Sequence, residues 1–171
     1  VPIPAFDKSM DDRAPMQAWP LHRGCVHVVL LEGWCVAALP EPDGQRLMAP
    51  VNELEAREDA DGHWRQYVNQ HLAQEYQPLF GRLDYLVMLR APSMECILQW
   101  RTLQEQKLAQ RIAQHQNGAG APGVMTTDQI KRFIMHYERL TRAMLEEMPA
   151  RANALFTIDE QHRITGAQYR D

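Results

Sequence analysis

The spacing of apolar positions changes several times along the chain, and each change marks an element. Cys25 to Leu31 is a valine- and leucine-rich run without polar alternation, the pattern of a strand buried on both faces of a helix-covered parallel sheet. It ends on Glu32 and is followed at once by Gly33. Pro40, Pro42, Asp43-Gly44 and Pro50 make residues 39 to 50 a turn-rich connection. Helical periodicity then covers Val51 to Asp59 and His63 to Phe80, with Gly62 between them. In the second stretch Trp64, Tyr67, Val68, His71, Leu72 and Tyr76 recur at three- and four-residue spacings.

Leu83 to Leu89 predicts a second buried strand, and Ser93 caps a long helix, polar on one side, that runs to about Gln116. Asn117 to Gly123 is a glycine-rich break. Thr126 or Thr127 then caps a helix to about Met148, where Pro149 is expected to stop it. Ala154 to Ile158 is a last short strand, and Asp159 to His162 a turn before a polar tail. At the other end, Pro2, Pro4, Pro15 and Pro20 exclude a helix or central strand from the first 24 residues, which are expected to form an ordered loop. Strands separated by helices indicate an α/β fold with parallel pairing. Three strands are few for a doubly wound domain.

Length and composition narrow the function. The chain has 171 residues, one domain's worth, and 45% of them are hydrophobic, ample for a core. Eighteen Lys and Arg against 22 Asp and Glu give a net charge of −4 without a basic block, which argues against nucleic acid or an anionic membrane as partner. No apolar run approaches the ~20 residues of a transmembrane helix, and the first 20 residues carry no signal-type stretch. Cys25, Cys35 and Cys96 are odd in number and lack C-x-x-C spacing, so neither a disulfide framework nor a cysteine zinc site is indicated and a reducing, cytoplasmic setting is expected. The seven histidines form no i, i+4 pair, and no serine sits in a G-x-S-x-G elbow.

The string Val28-Val29-Leu30-Leu31-Glu32-Gly33-Trp34 carries the most chemistry. An apolar strand ending in a carboxylate presents a hard oxygen ligand at the carboxyl edge of a parallel sheet, where ligand crevices open. A buried strand ending in Glu before a Gly turn is also an ordinary feature of α/β proteins. Ahead of it lies Pro4-Ala5-Phe6-Asp7-Lys8-Ser9 with Asp11-Asp12-Arg13, and after the next strand Trp100-Arg101 and Gln104-Glu105. Taken as a set, these strings resemble the glycerate kinase family, a branch of the P-loop kinases near phosphoribulokinase and uridine kinase. Met125 to Tyr137 looks like that family's later helix, and the likeness covers nearly the whole chain.

The resemblance implies a three-layer P-loop kinase-type parallel sheet flanked by helices, here one domain over residues 1–171 with a helical lid at about 93–123. It implies ATP and Mg2+ as cofactors and a small hydroxy acid, glycerate-like, as acceptor. Glu32 then serves the metal or its water shell, Arg101 offsets charge on the transferred phosphoryl group, and Arg111 reaches the nucleotide from the same helix. Asp7, Lys8 and Arg13 form the acceptor loop, an Arg fork being well shaped for a carboxylate. The plainer reading is a solvated loop for the first group and, for Arg101, Lys107 and Arg111, pairing with Glu95 and Glu105 on a wet helix face. One departure is decisive. The phosphate cradle G-x-x-x-x-G-K-S/T is absent from all 171 residues, and Gly118 to Gly123 is followed by Val124 and Met125 instead of Lys and Ser. The chain is therefore expected to match the carboxyl-terminal portion of such a kinase, with the strand between 26–31 and 84–89 supplied from upstream. The rival is a non-catalytic relative or interaction module.

Overall fold

The computed structural model describes residues 1–7, 12–115 and 124–170, without the side chains of 111–115. The chain divides into two compact units, Val1–Glu32 and Gly33–Asp171. In the first, β1 (Phe6–Asp7) and β2 (Asp12–Arg13) pair antiparallel, with Phe6 opposite Arg13 and Asp7 opposite Asp12. Prolines remove donors from this segment, so it closes through the residues between them. Ile3 N–H donates to Pro20 O at 2.9 Å, His22 N–H to Val1 O at 2.9 Å, and the Trp19 indole to Ala14 O at 2.7 Å.

The expected strand at Cys25–Leu31 does not form. Those residues have no ladder partner among the described residues, and Val28, Val29 and Leu30 are exposed, Leu30 by 90%. A strand apolar on both faces gains stability only from neighbours on both edges and covering layers on both faces. Nothing among the described residues of this unit supplies either.

The second unit is built on a three-stranded sheet. β3 (Val87–Arg90) pairs parallel with β4 (Ala154–Ile158), Val87 opposite Ala154 and Arg90 opposite Thr157. β5 (Ile164–Tyr169) adds an antiparallel third strand, giving the order β3-β4-β5. The expected polar tail is thus a strand. Its turn is fixed by Asp159, whose carboxylate accepts the backbone N–H groups of Gln161 and Arg163, each at 2.9 Å, and Arg163 Nε at 2.8 Å. These donors, the Arg163 N–H first, hold the Asp159 carboxyl below its usual value. Gly166 lies opposite Thr157, where a Cβ would come within 2.8 Å of Thr157 Oγ1.

Two long helices follow, α6 (Thr127–Arg151) packed on β3 and α5 (Met94–His115) packed on α6. α5 starts after Ser93, whose hydroxyl accepts Cys96 N–H at 3.4 Å. α6 opens with a capping box between Thr126 and Gln129. It runs past Pro149 instead of stopping before it. The ring lies in the last turn, where the ladder loses the one bond its missing N–H would make, and Ala152 N–H still closes on Met148 O at 2.9 Å. Met148, Ala152, Leu155, Met88 and Ala37 form the core, with Leu83, Leu86 and Phe80 packed on it.

Short helices α1 (Gly44–Met48), α2 (Glu53–Glu58), α3 (His63–His71) and α4 (Gln77–Phe80), the last two joined by a π-helical turn at Leu72–Tyr76, complete the unit. The stripe at residues 64–76 is buried only in part: Leu72 is buried and His71 half-buried. Arg65 is buried at 5% exposure, whereas Trp64 is 68% exposed and Tyr67 and Val68 are exposed as well. Buried Glu55 draws Arg65 inward, because it accepts Val51 N–H at 2.8 Å and Arg139 Nε at 2.8 Å and stands 3.5 Å from Arg65 Nη1. Arg65 is further held by Met48 O at 3.2 Å and Asp59 at 3.5 Å. No helix among the described residues is long and apolar enough to cross a membrane.

Burial pushes the Glu55 carboxyl up, but the hydrogen bonds from Arg139 and Val51 and the charges of Arg139 and Arg65 outweigh it, so its pKa is lowered. A carboxyl depressed in the folded state adds stability above its unfolded value of about 4.3 and loses that contribution as pH falls through the folded value. Urea midpoints followed through this acid range should therefore fall more steeply for the parent than for Glu55→Gln. Parallel profiles would deny Glu55 this role.

Candidate functional site

β3 and β4 run in parallel, so their carboxyl ends lie along one edge of the sheet, the edge at which α/β proteins place ligands. After β3, Arg90 leads through Ala91, Pro92 and Ser93 into α5. Arg90 is exposed and has no ion-pair partner among the described residues. After β4 comes the Asp159 turn, with His162 in left-handed conformation at φ 62°. Trp100 ties α5 to this turn: its indole donates to Glu160 O at 2.8 Å and its ring lies 4.3 Å from that of His162.

Arg101 follows on the same helix. Its Nη1 lies 2.5 Å from Glu105 Oε1 and donates to Gln104 Oε1 at 3.2 Å, while the guanidinium sits 5.4 Å from the centre of the Phe133 ring. Glu105 is buried and also accepts Met125 N–H at 3.1 Å. Pairing of Arg101 with Glu105 is thus present, but inside a packed cluster and not on a wet face. A guanidinium has five donors, and here the carboxylate engages Nη1. The cation–π contact and the buried acid fix where Arg101 points.

Trp34, two residues beyond Glu32, enters the same cluster. It stacks on Tyr137 at 4.9 Å and 12°, and its ring lies 6.5 Å from Phe133. Its indole donates to Thr141 Oγ1 at 2.9 Å, and that hydroxyl donates to Tyr137 O at 2.8 Å. The aromatic contacts join Trp34 to Arg101 through Phe133. The spacing of Phe133, Tyr137 and Thr141 at i, i+4 and i+8 on α6 was the available signal, though helical spacing alone does not name its partner.

The other expected site residues fall in separate places. Glu32 closes the first unit, exposed and without an ion-pair partner among the described residues. The hairpin brings Asp7 and Arg13 onto paired strands, Asp7 half-buried and Arg13 exposed, and Asp12 accepts Arg13 N–H at 2.6 Å. Lys8 and the 118–123 segment lie outside the described residues, as does the side chain of Arg111. Among the described residues no group of three or more His, Cys, Asp or Glu is placed to hold a metal ion.

The fold has counterparts among solved structures. The D-glycerate 3-kinase of Cryptococcus neoformans var. grubii superposes with a TM-score of 0.65 over 99% of this chain and 60% of its own, at 20% identity. The chain has the D-glycerate 3-kinase-like, P-loop kinase-type fold. The YGR205w protein shares this kinase-type fold, with a TM-score of 0.62 over 99% of this chain and 58% of its own, at 19% identity. In sequence, the chain is 31% identical over 143 residues to the uncharacterized kinase mug58 of Schizosaccharomyces pombe. That match covers 80% of this chain and 47% of the relative, so the chain spans about half the length of its curated relative. No family model matches the chain.

Proposed function

We propose that this chain contributes the acceptor loop, metal-side carboxylate and arginine lid of an ATP-dependent phosphotransferase acting on a small hydroxy acid, glycerate being the leading acceptor. The observation that supports this most is the kinase-type fold covering 99% of the chain. Arg13 and Lys8 bind the acceptor carboxylate, with Asp7 on the paired strand. Arg101, oriented by Glu105 and Phe133, faces the transferred phosphoryl group, and Arg111 assists from the same helix. Magnesium is commonly held by one or two carboxylates together with substrate phosphates and waters. Exposed Glu32 fits such a role and needs no protein cage. When bound, the metal supplies charge neutralisation and orientation of phosphate oxygens.

The triphosphate is a different matter. Its phosphates need backbone N–H groups and a lysine in a glycine-rich loop, and the 171 residues hold no such string. In this proposal the cradle comes from a polypeptide segment outside these residues. The second reading, a non-catalytic relative, draws on that same absence and on the pairing of Arg101 with Glu105.

Calorimetry separates the two. The 171-residue chain alone should show weak or no Mg-ATP binding, and micromolar binding would overturn the need for a cradle. Joined to the part of the Cryptococcus kinase that this chain does not match, it should bind nucleotide and phosphorylate glycerate. In that joined protein Glu32→Gln should lower turnover by about ten- to a hundredfold with an unchanged melting temperature. Binding and folding without any turnover would favour the non-catalytic reading.

A further inference from the structure

We propose that Trp100 is a positioning residue for Arg101, setting the rotation of α5 against a fixed stop at the β4–β5 turn. The inference rests on the reading of Arg101 as the residue that faces the transferred phosphoryl group. α5 packs on α6, and packed helices slide and roll against one another by small shear displacements. A second point of support removes that freedom. Successive residues project about 100° apart around a helix, so Trp100 and Arg101 leave α5 in different directions. Arg101 lies over the Phe133 ring of α6, 5.4 Å from its centre. Half-buried Trp100 reaches the turn instead, its indole donating to Glu160 O at 2.8 Å and its ring lying 4.3 Å from that of His162. Held from two sides, the helix keeps one rotational setting, and the direction of the guanidinium follows from it.

The turn is built to act as a stop. The Asp159 carboxylate accepts the N–H groups of Gln161 and Arg163 and the Arg163 Nε, and Asp159 O accepts His162 N–H at 3.0 Å. His162 itself stands at φ 62°, a left-handed backbone that glycine adopts freely and a residue with a Cβ does not. Its exposed ring makes no hydrogen bond among the described residues. Contact with the Trp100 ring is therefore what a histidine supplies at a position whose backbone favours glycine. Backbone held in such a conformation persists where its surroundings over-determine it, and these positions gather where geometry matters for function. The turn follows β4 at the carboxyl edge of the sheet, and through Trp100 the place of that edge is passed to Arg101 without any contact between the turn and the guanidinium.

Two variants test this in the 171-residue chain. Trp100→Phe keeps a ring for His162 and loses the indole donor, whereas His162→Gly removes the ring and suits the turn's backbone. In NMR spectra each should broaden or shift the Arg101 Nε–Hε resonance. Amide exchange at residues 100–105 should quicken about tenfold while that of α6 stays constant. Trp64→Phe, an exposed tryptophan on α3, should change neither. An Arg101 resonance and α5 exchange like the parent's in both variants would overturn the proposal. Should Trp100→Phe fail to fold, His162→Gly decides. In the joined protein, Trp100→Phe should lower kcat about tenfold with both KM values unchanged, and should add nothing to the loss caused by Arg101→Gln. Losses that multiply would show that Trp100 does not act through Arg101. A joined parent without turnover would sink the phosphotransferase reading, and the spectra of the chain alone would still decide whether Trp100 positions Arg101.

Discussion

Arg139→Met should lower the unfolding free energy by about 3–5 kcal/mol, the cost of stranding one member of a buried ion pair. Arg139 gives Glu55 two hydrogen bonds, from Nε at 2.8 Å and Nη2 at 2.6 Å, and also donates to Ala49 O at 2.6 Å and Arg46 O at 3.1 Å. It therefore holds α6 to α2 and to the last turn and C-cap of α1. Without it, Glu55 keeps Val51 N–H and an Arg65 contact at 3.5 Å, too little to offset its burial. Urea denaturation should show a lower midpoint with an unchanged slope. Arg132→Met is the comparison, because Arg132 pairs with Glu58 on the surface and such pairs contribute little. Equal midpoints for the two variants would show that the Glu55 cluster is not what joins these helices.

That cluster also shows what the sequence conceals. The helical spacing of residues 63–80 is correct, yet which side faces inward depends on Glu55 and Asp59, ten and six residues earlier. A buried arginine is expensive unless paired, and only the fold brings its partners together. Spacing therefore identifies a helix without identifying its inner face. At Cys25–Leu31 composition names a strand, but a ladder needs an edge to pair with. β5 fails in the opposite sense: Gly166 and the polar Thr165 and Gln168 weaken its apolar signal, and pairing with β4 across the Asp159 turn supplies what propensity lacks.

Elements whose signals are local were legible. Ser93 and the Thr126–Gln129 capping box start α5 and α6 as expected, and Ala154–Ile158 is a strand over its predicted span. The site divides along the same line. Arg101 and Glu105 are one helical turn apart, so their pairing could be read from spacing. Phe133 and Trp34 are remote in sequence, and their part in orienting Arg101 emerges only when α5 and α6 pack. The packing gives Arg101 a fixed direction that a solvated arginine would lack.

In the protein completed by a phosphate cradle, Arg13→Lys should raise the KM for glycerate roughly ten- to a hundredfold, while the KM for ATP stays nearly constant. The hairpin pairs Phe6 with Arg13 and Asp7 with Asp12, so the guanidinium projects from a short, backbone-fixed strand and not from a free loop. A planar guanidinium engages a carboxylate through two parallel N–H donors, and an ammonium offers a point charge in their place. Losing one charge-assisted hydrogen bond costs about 1.5–3 kcal/mol, which is the stated range at about 1.4 kcal/mol per tenfold. The effect should appear in the acceptor kcat/KM and spare the melting temperature, since substitutions of exposed side chains usually stay within about 0.5 kcal/mol. Steady-state rates with glycerate varied at saturating ATP decide the matter. An unchanged acceptor KM would make Arg13 a solvated surface residue and take the acceptor site away from the hairpin.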